Sequence, residues 1–136
     1  MPEETDILQK LVVEEKDIKK EMGKMVEEAQ KHFRIEKPSG KVIFQNFGAL
    51  NDKQRIATLL LGKYFAFQLK MIEDPSLSIS DVAKELGRPV TTLSGNMKEL
   101  VTKGYVEYLS NGKKYRISYH RIKEIFDDVL AAKQKK

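Results

Sequence analysis

The sequence predicts a mainly helical α+β domain carrying one small β-hairpin, and three observations lead there. Asn51 to Glu73 is apolar on nearly every side, as a central helix would be. Ser78 to Gly104 reads as two amphipathic helices separated by the breaker triplet Gly87-Arg88-Pro89. Val106 to Ile117 is β-prone on both sides of Asn111-Gly112, a strong short-range hairpin signal.

At 136 residues the chain has room for one domain of roughly 100 residues and an appendage. The expected division is a helical arm over 1–36 for dimerisation or docking, a hinge with an extended segment over 37–50, and the domain with its C-terminal helix over 51–136. With 40% hydrophobic and 33% charged residues, the composition is that of a folded chain. Having no cysteine excludes disulfides, thiolate zinc sites and cysteine nucleophiles. The lack of Cys and Trp beside abundant Lys and Glu leans toward a thermophilic source. No apolar run approaches the roughly 20 residues that span a bilayer. Met1-Pro2-Glu3-Glu4 lacks the basic start of a secretory signal, so a cytoplasmic location is expected.

The net charge of +5 is unevenly distributed. Residues 1–36 hold seven Lys/Arg against ten Asp/Glu, whereas residues 37–136 hold eighteen against ten. A basic excess in the domain attracts phosphate backbones without specifying a sequence.

The arm is expected to be helical from Thr5 to about Phe33. Leu8, Leu11, Ile18, Met22, Met25, Ala29 and Phe33 recur at spacings of three, four and seven. Such a stripe needs a partner. A coiled coil with a second copy is favoured over packing on the domain, although Glu15 and His32 interrupt the seam. The expected dimer residues are Leu8, Leu11, Ile18, Met22 and Met25 here, with Ile125 and Val129 of the C-terminal helix. Lys37-Pro38-Ser39-Gly40 breaks the helix and forms the hinge, and Lys41 to Phe47 is expected to be extended.

Asn51 is a suitable N-cap for the central helix, which Asp74-Pro75-Ser76 ends. Core packing is the preferred role for its Tyr64, Phe65 and Phe67. Ser80 is expected to cap the next helix, with Val82, Ala83 and Leu86 facing inward and Gly87 as its left-handed stop. Pro89 suits the first turn of the following helix, which runs to Lys103. Leu93, Met97, Leu100 and Val101 would face inward and Val90, Thr91, Ser94, Gly95 and Lys98 outward. An Asn-Gly loop with positive φ at both central positions pairs Glu107 with Arg116, Tyr108 with Tyr115, and Val106 with Ile117. It places Lys113, Lys114 and Arg116 at or near a projecting tip. A last helix carries Ile122, Ile125, Phe126 and Val129 on one stripe.

This order of elements is that of a winged helix-turn-helix. The run from Leu86 to Val106, with Leu-Gly before the turn, a Thr/Ser-rich helix start and Lys-Glu-Leu followed by Lys-Gly-Tyr-Val, resembles the recognition helix and first wing strand of winged-helix transcriptional regulators. The multiple-antibiotic-resistance and arsenical-resistance repressor families and small archaeal winged-helix regulators are the nearest types. The resemblance implies base or phosphate contacts for Thr91, Ser94 and Asn96, a phosphate contact for Lys98, and wing contacts for Lys113 and Arg116. Arg88, Val90, Gly95 and Lys114 complete the expected interface. Gly95 departs from the pattern, because these families often carry Arg or Lys there, and it costs the helix roughly 1 kcal/mol relative to Ala.

The expectation is a dimeric regulator of double-stranded DNA. A winged helix used for protein contact in a larger assembly is the alternative. No paired His/carboxylate spacing, thiol or Gly-rich cradle supports catalysis, and ligands for a metal are scarce. No cofactor is expected, and no residue identifies a small-molecule effector.

Overall fold

The computed structural model describes residues 23–130. Leu8, Leu11, Ile18 and Met22 of the expected dimer seam therefore lie outside the described residues. The helical arm is seen over 23–29 and ends earlier than its spacing predicts. Phe33–Ile35 (β1) is a strand instead, paired antiparallel with Val42–Phe44 (β2) in the register Phe33 to Phe44. Lys37 to Gly40 is thus the turn of a hairpin. The Gly40 N–H donates to the Glu36 carbonyl at 2.8 Å, with the glycine at φ 76°. Burial of Phe33 and Val42 at one face decides for strand over helix here, because it anchors the hairpin on the core.

Asp52–Gln68 (α1) is the central helix, and the residues around its circumference explain why. Ile56, Leu59, Leu60, Leu61, Phe65 and Ala66 are all buried and face different neighbours. The Asn51 side chain accepts from the Gln54 N–H while Gln54 accepts from the Asn51 N–H, a reciprocal capping box. Gln54 is itself buried, and its amide donates to the Val129 carbonyl at 3.1 Å, tying the helix start to the C-terminal element. The helix ends at Gln68, five residues before the predicted end. Lys70 takes a left-handed φ of 62°, and the Met71 N–H reaches back to the Ala66 carbonyl. Met71 and Ile72 then meet Gly40. A consequence is that Phe67, expected in the core, is 38% exposed, while Phe65 is buried as predicted.

Ile79–Leu86 (α2) is capped by Ser78, whose hydroxyl accepts from the Asp81 N–H at 3.1 Å. The predicted cap, Ser80, lies within the helix, because the extended backbone of Ser78 starts it two residues earlier. Gly87 ends it at φ 66°, and the N–H groups of Gly87 and Arg88 both reach the Ala83 carbonyl. Val90–Thr102 (α3) follows, with Pro89 at the N-cap. Val106–Leu109 (β3) and Lys114–Ile117 (β4) form the hairpin in the predicted register. Its turn differs in one respect: the positive φ angles fall on Gly112 and Lys113 instead of Asn111 and Gly112. Leu77 exchanges two backbone hydrogen bonds with Tyr115, adding a single bridge as a third edge of the small sheet.

The chain closes with a 3-10 turn at Tyr119–Arg121, one helical turn at Ile122–Glu124 and a π-helical segment at Ile125–Leu130. Ile122, Ile125, Phe126 and Val129 are buried, as their stripe requires. Ile125 and Val129 are therefore used in the chain's own core, and Met25 packs partly buried against it. His32 stacks on Phe126, and burial pushes its imidazole below the ordinary histidine pKa against the opposing pull of Glu28. The architecture is a mainly helical winged helix-turn-helix, with β1 and β2 packed on the far side of α1. Among the described residues no helix is long and apolar enough to cross a membrane, and no cluster of side chains could hold a metal.

Candidate nucleic-acid interface

The interface is built by α3, whose inner face is fixed by Leu93, Met97 and Leu100, each at most 1% exposed. With those three buried, Val90, Thr91, Ser94, Gly95 and Lys98 turn outward, as their spacing predicts. Val101, expected inward, is only partly buried. Asn96 stands between the two faces, and its amide donates weakly to the Thr92 carbonyl at 3.5 Å. Ser94 donates its hydroxyl proton to the Val90 carbonyl at 2.8 Å, leaving the oxygen free to accept.

The N-terminus of α3 differs from those of its neighbours. Asn51 and Ser78 cap α1 and α2, and Asp52 and Asp81 stand in their first turns. No side chain caps α3, and no carboxylate stands in its first turn. Its leading N–H groups and the positive end of its dipole are left to an outside acceptor, the arrangement a phosphate uses.

Five of the predicted site residues are cations, and their environments divide them. Arg88 donates to both carboxylate oxygens of Asp52 at 3.2 Å. Arg116 is 2.7 Å from Glu107, the cross-strand pair that the hairpin register predicts. Lys114 reaches Asp74 at 3.4 Å. The Ser76 hydroxyl and N–H both donate to Asp74, at 2.6 and 2.9 Å, and with Lys114 they hold its carboxyl below the usual range. Lys98 and Lys113 are exposed and have no carboxylate partner among the described residues. Glu99, the acid next to Lys98, is turned away toward Lys53 and Lys103.

Between α3 and the wing runs a groove of about 370 Å³ lined by Ile79, Ser94, Lys98, Val101, Tyr108 and Tyr115. The two tyrosine rings pack at 5.0 Å, with Tyr108 45% exposed. Sequence spacing placed both tyrosines on one face of the hairpin but did not bring them beside Ser94 and Lys98 in a shared groove. The Arg88 and Lys114 pairings span 36 and 40 residues, and no local signal could have disclosed them.

Residues 71–107 match the winged helix-turn-helix DNA-binding family. The match covers the Leu77 bridge, both helices of the motif and the start of the wing. It supports a DNA-binding role for this winged helix-turn-helix. No curated protein and no solved structure matches the chain.

Gly95 can be tested separately. A Cβ added there meets nothing within 4 Å, so the chain itself has no need of a glycine at this point. Gly95→Ala is expected to stabilise the helix by roughly 1 kcal/mol and, if this exposed face of the helix lies against DNA, to weaken duplex binding, because the new methyl would project from that face. Thermal melting and a duplex titration read the two effects. Greater stability with undiminished binding would mean that Gly95 has no part in the interface.

Proposed function

We propose that this chain is a non-enzymatic transcriptional regulator that binds double-stranded DNA as a homodimer. Helix α3 lies in the major groove with Thr91 and Ser94 toward the base edges, and the wing lies along the phosphate backbone with Lys113 nearest to it. The observation that carries this reading is the outward face of α3. It is uncapped, free of acid and furnished with hydroxyls and Lys98, on a helix whose inner face is locked in the core. Hydroxyls and a helix N-terminus can both position and read DNA, while isolated cations add affinity that falls with salt. A two-fold dimer would set recognition helices roughly 34 Å apart and select a pseudo-palindromic site.

Selection from random duplex DNA, followed by fluorescence anisotropy on the enriched sequence, tests this. The expected result is a two-fold repeat with half-sites about 10 base pairs apart and an affinity that declines steadily with salt. No enrichment and no binding at low salt would remove the proposal.

A further inference from the structure

A second concave surface lies on the other side of α1, remote from α3. Its walls are residues 26–35 and the end of the central helix with the turn after it, and it holds about 410 Å³. Ala29, Phe33, Ile35 and Phe65 form an apolar floor. At its lips Val26 is 43% exposed and Leu69 60% exposed, so the apolar surface continues into solvent. Arg34 and Lys37 line it, and no carboxylate does.

The chain contains a segment with the complementary pattern. Residues 1–22 carry seven Asp/Glu against four Lys; residues 8–22 hold four of each, so the acidic excess is Glu3, Glu4 and Asp6 at the start of the segment. Leu8, Leu11, Ile18 and Met22 repeat there at helical spacing, and Val26 continues the same series into the lip of the groove. An amphipathic segment with an acidic start matches a basic-rimmed apolar groove by its apolar stripe and by the charge of Glu3, Glu4 and Asp6.

We infer that residues 3–22 of a second copy of the chain occupy this groove, and that the exchange is reciprocal. The chain's own segment is a poor candidate. The helix at 23–29 forms one wall of the groove; Gly23 at its start is itself helical, and from Thr5 to Met22 the sequence has neither Pro nor Gly to turn it back. Continued as a helix, residues 8–22 extend about 22 Å from the wall, far enough to reach a neighbour. Two such arms, each in the other's groove, close a two-fold with self-complementary contacts. The inference locates the interface of the proposed homodimer and rests on that part of the reading. It does not depend on DNA binding.

The absence of native cysteine makes a disulfide trap unambiguous. One full-length preparation carries Ile18→Cys and another Leu69→Cys; they are mixed, oxidised and run without reductant. The expected product is a mixed species of about twice the 15.7 kDa chain mass, formed only on mixing. In sedimentation equilibrium, Arg34→Glu with Lys37→Glu should weaken the dimer about tenfold or more, and Glu21→Lys added to that pair should restore part of the loss. Leu69→Asp, at an exposed position, should weaken it without lowering the melting temperature of the domain. A monomeric chain, a dimer that gives no mixed crosslink, or a doubly substituted chain that closes on itself when dilute would each overturn the inference. Loss of DNA binding with the crosslink intact would remove the DNA reading and leave the interface standing.

Discussion

Replacing Lys98 and Lys113 together by alanine is expected to weaken duplex binding about a hundredfold per protomer at about 0.1 M salt. The reasoning is electrostatic. Each lysine placed on a phosphate displaces roughly one condensed counterion, which is worth about tenfold in affinity at that salt relative to molar salt. The plot of log affinity against log salt should become shallower by about one for each lysine removed. The same logic gives an opposite outcome for the other wing cations. Arg116 is matched by Glu107 at 2.7 Å, so removing both with Arg116→Ala and Glu107→Ala deletes no net charge. That pair deletion should leave the slope unchanged, whereas Glu107→Gln alone should release Arg116 and steepen it. Anisotropy at four or five salt concentrations distinguishes these cases. If the double lysine variant kept the parent slope, the backbone contacts would have to lie elsewhere.

The parts of the fold that were readable from sequence are those governed by local chemistry. Gly87 and Pro89 announce the end of one helix and the beginning of the next, because each satisfies a backbone requirement that few other residues meet. The wing register follows from period-two alternation about a short turn, and Val106, Tyr108, Tyr115 and Ile117 fall as that alternation dictates. What was hidden depends on distant partners. Phe33–Ile35 continues a helical pattern and becomes a strand only because Val42–Phe44 returns beside it on the central helix. Phe67 reads as core by spacing, but the chain turns at Lys70 before another element covers it. At the interface, spacing correctly set the inner and outer faces of α3. It could not separate the two unpaired lysines from the three paired cations, since that depends on Asp52, Asp74 and Glu107, two of them remote in sequence.

Gly62 is the position where such a distant contact should have its largest effect on stability. It sits in the middle of α1, where glycine costs roughly 1 kcal/mol relative to alanine, so substitution by alanine would ordinarily help. Here the chain has used the missing side chain to bring β2 against the helix. A Cβ at Gly62 would stand 2.8 Å from Val42 Cγ1 and closer still to Cγ2. Val42 is 5% exposed and branched at Cβ, so its methyl groups cannot swing aside. Relief requires the β1–β2 hairpin to move, at an overpacking cost of about 1–3 kcal/mol that outweighs the gain in helix propensity. Gly62→Ala is therefore expected to lower the urea midpoint, and Gly62→Val to lower it further. Val42→Ala should also destabilise alone, through the cavity it leaves. Combined with Gly62→Ala, it removes the two closest contacts and leaves only the residue-42 Cβ, at 3.1 Å, to give by a few tenths of an ångström, so the double variant should be more stable than the sum of the single changes by about 1 kcal/mol. Simple additivity at constant m-value would show that the helix and the hairpin are not in the close contact that Gly62 permits.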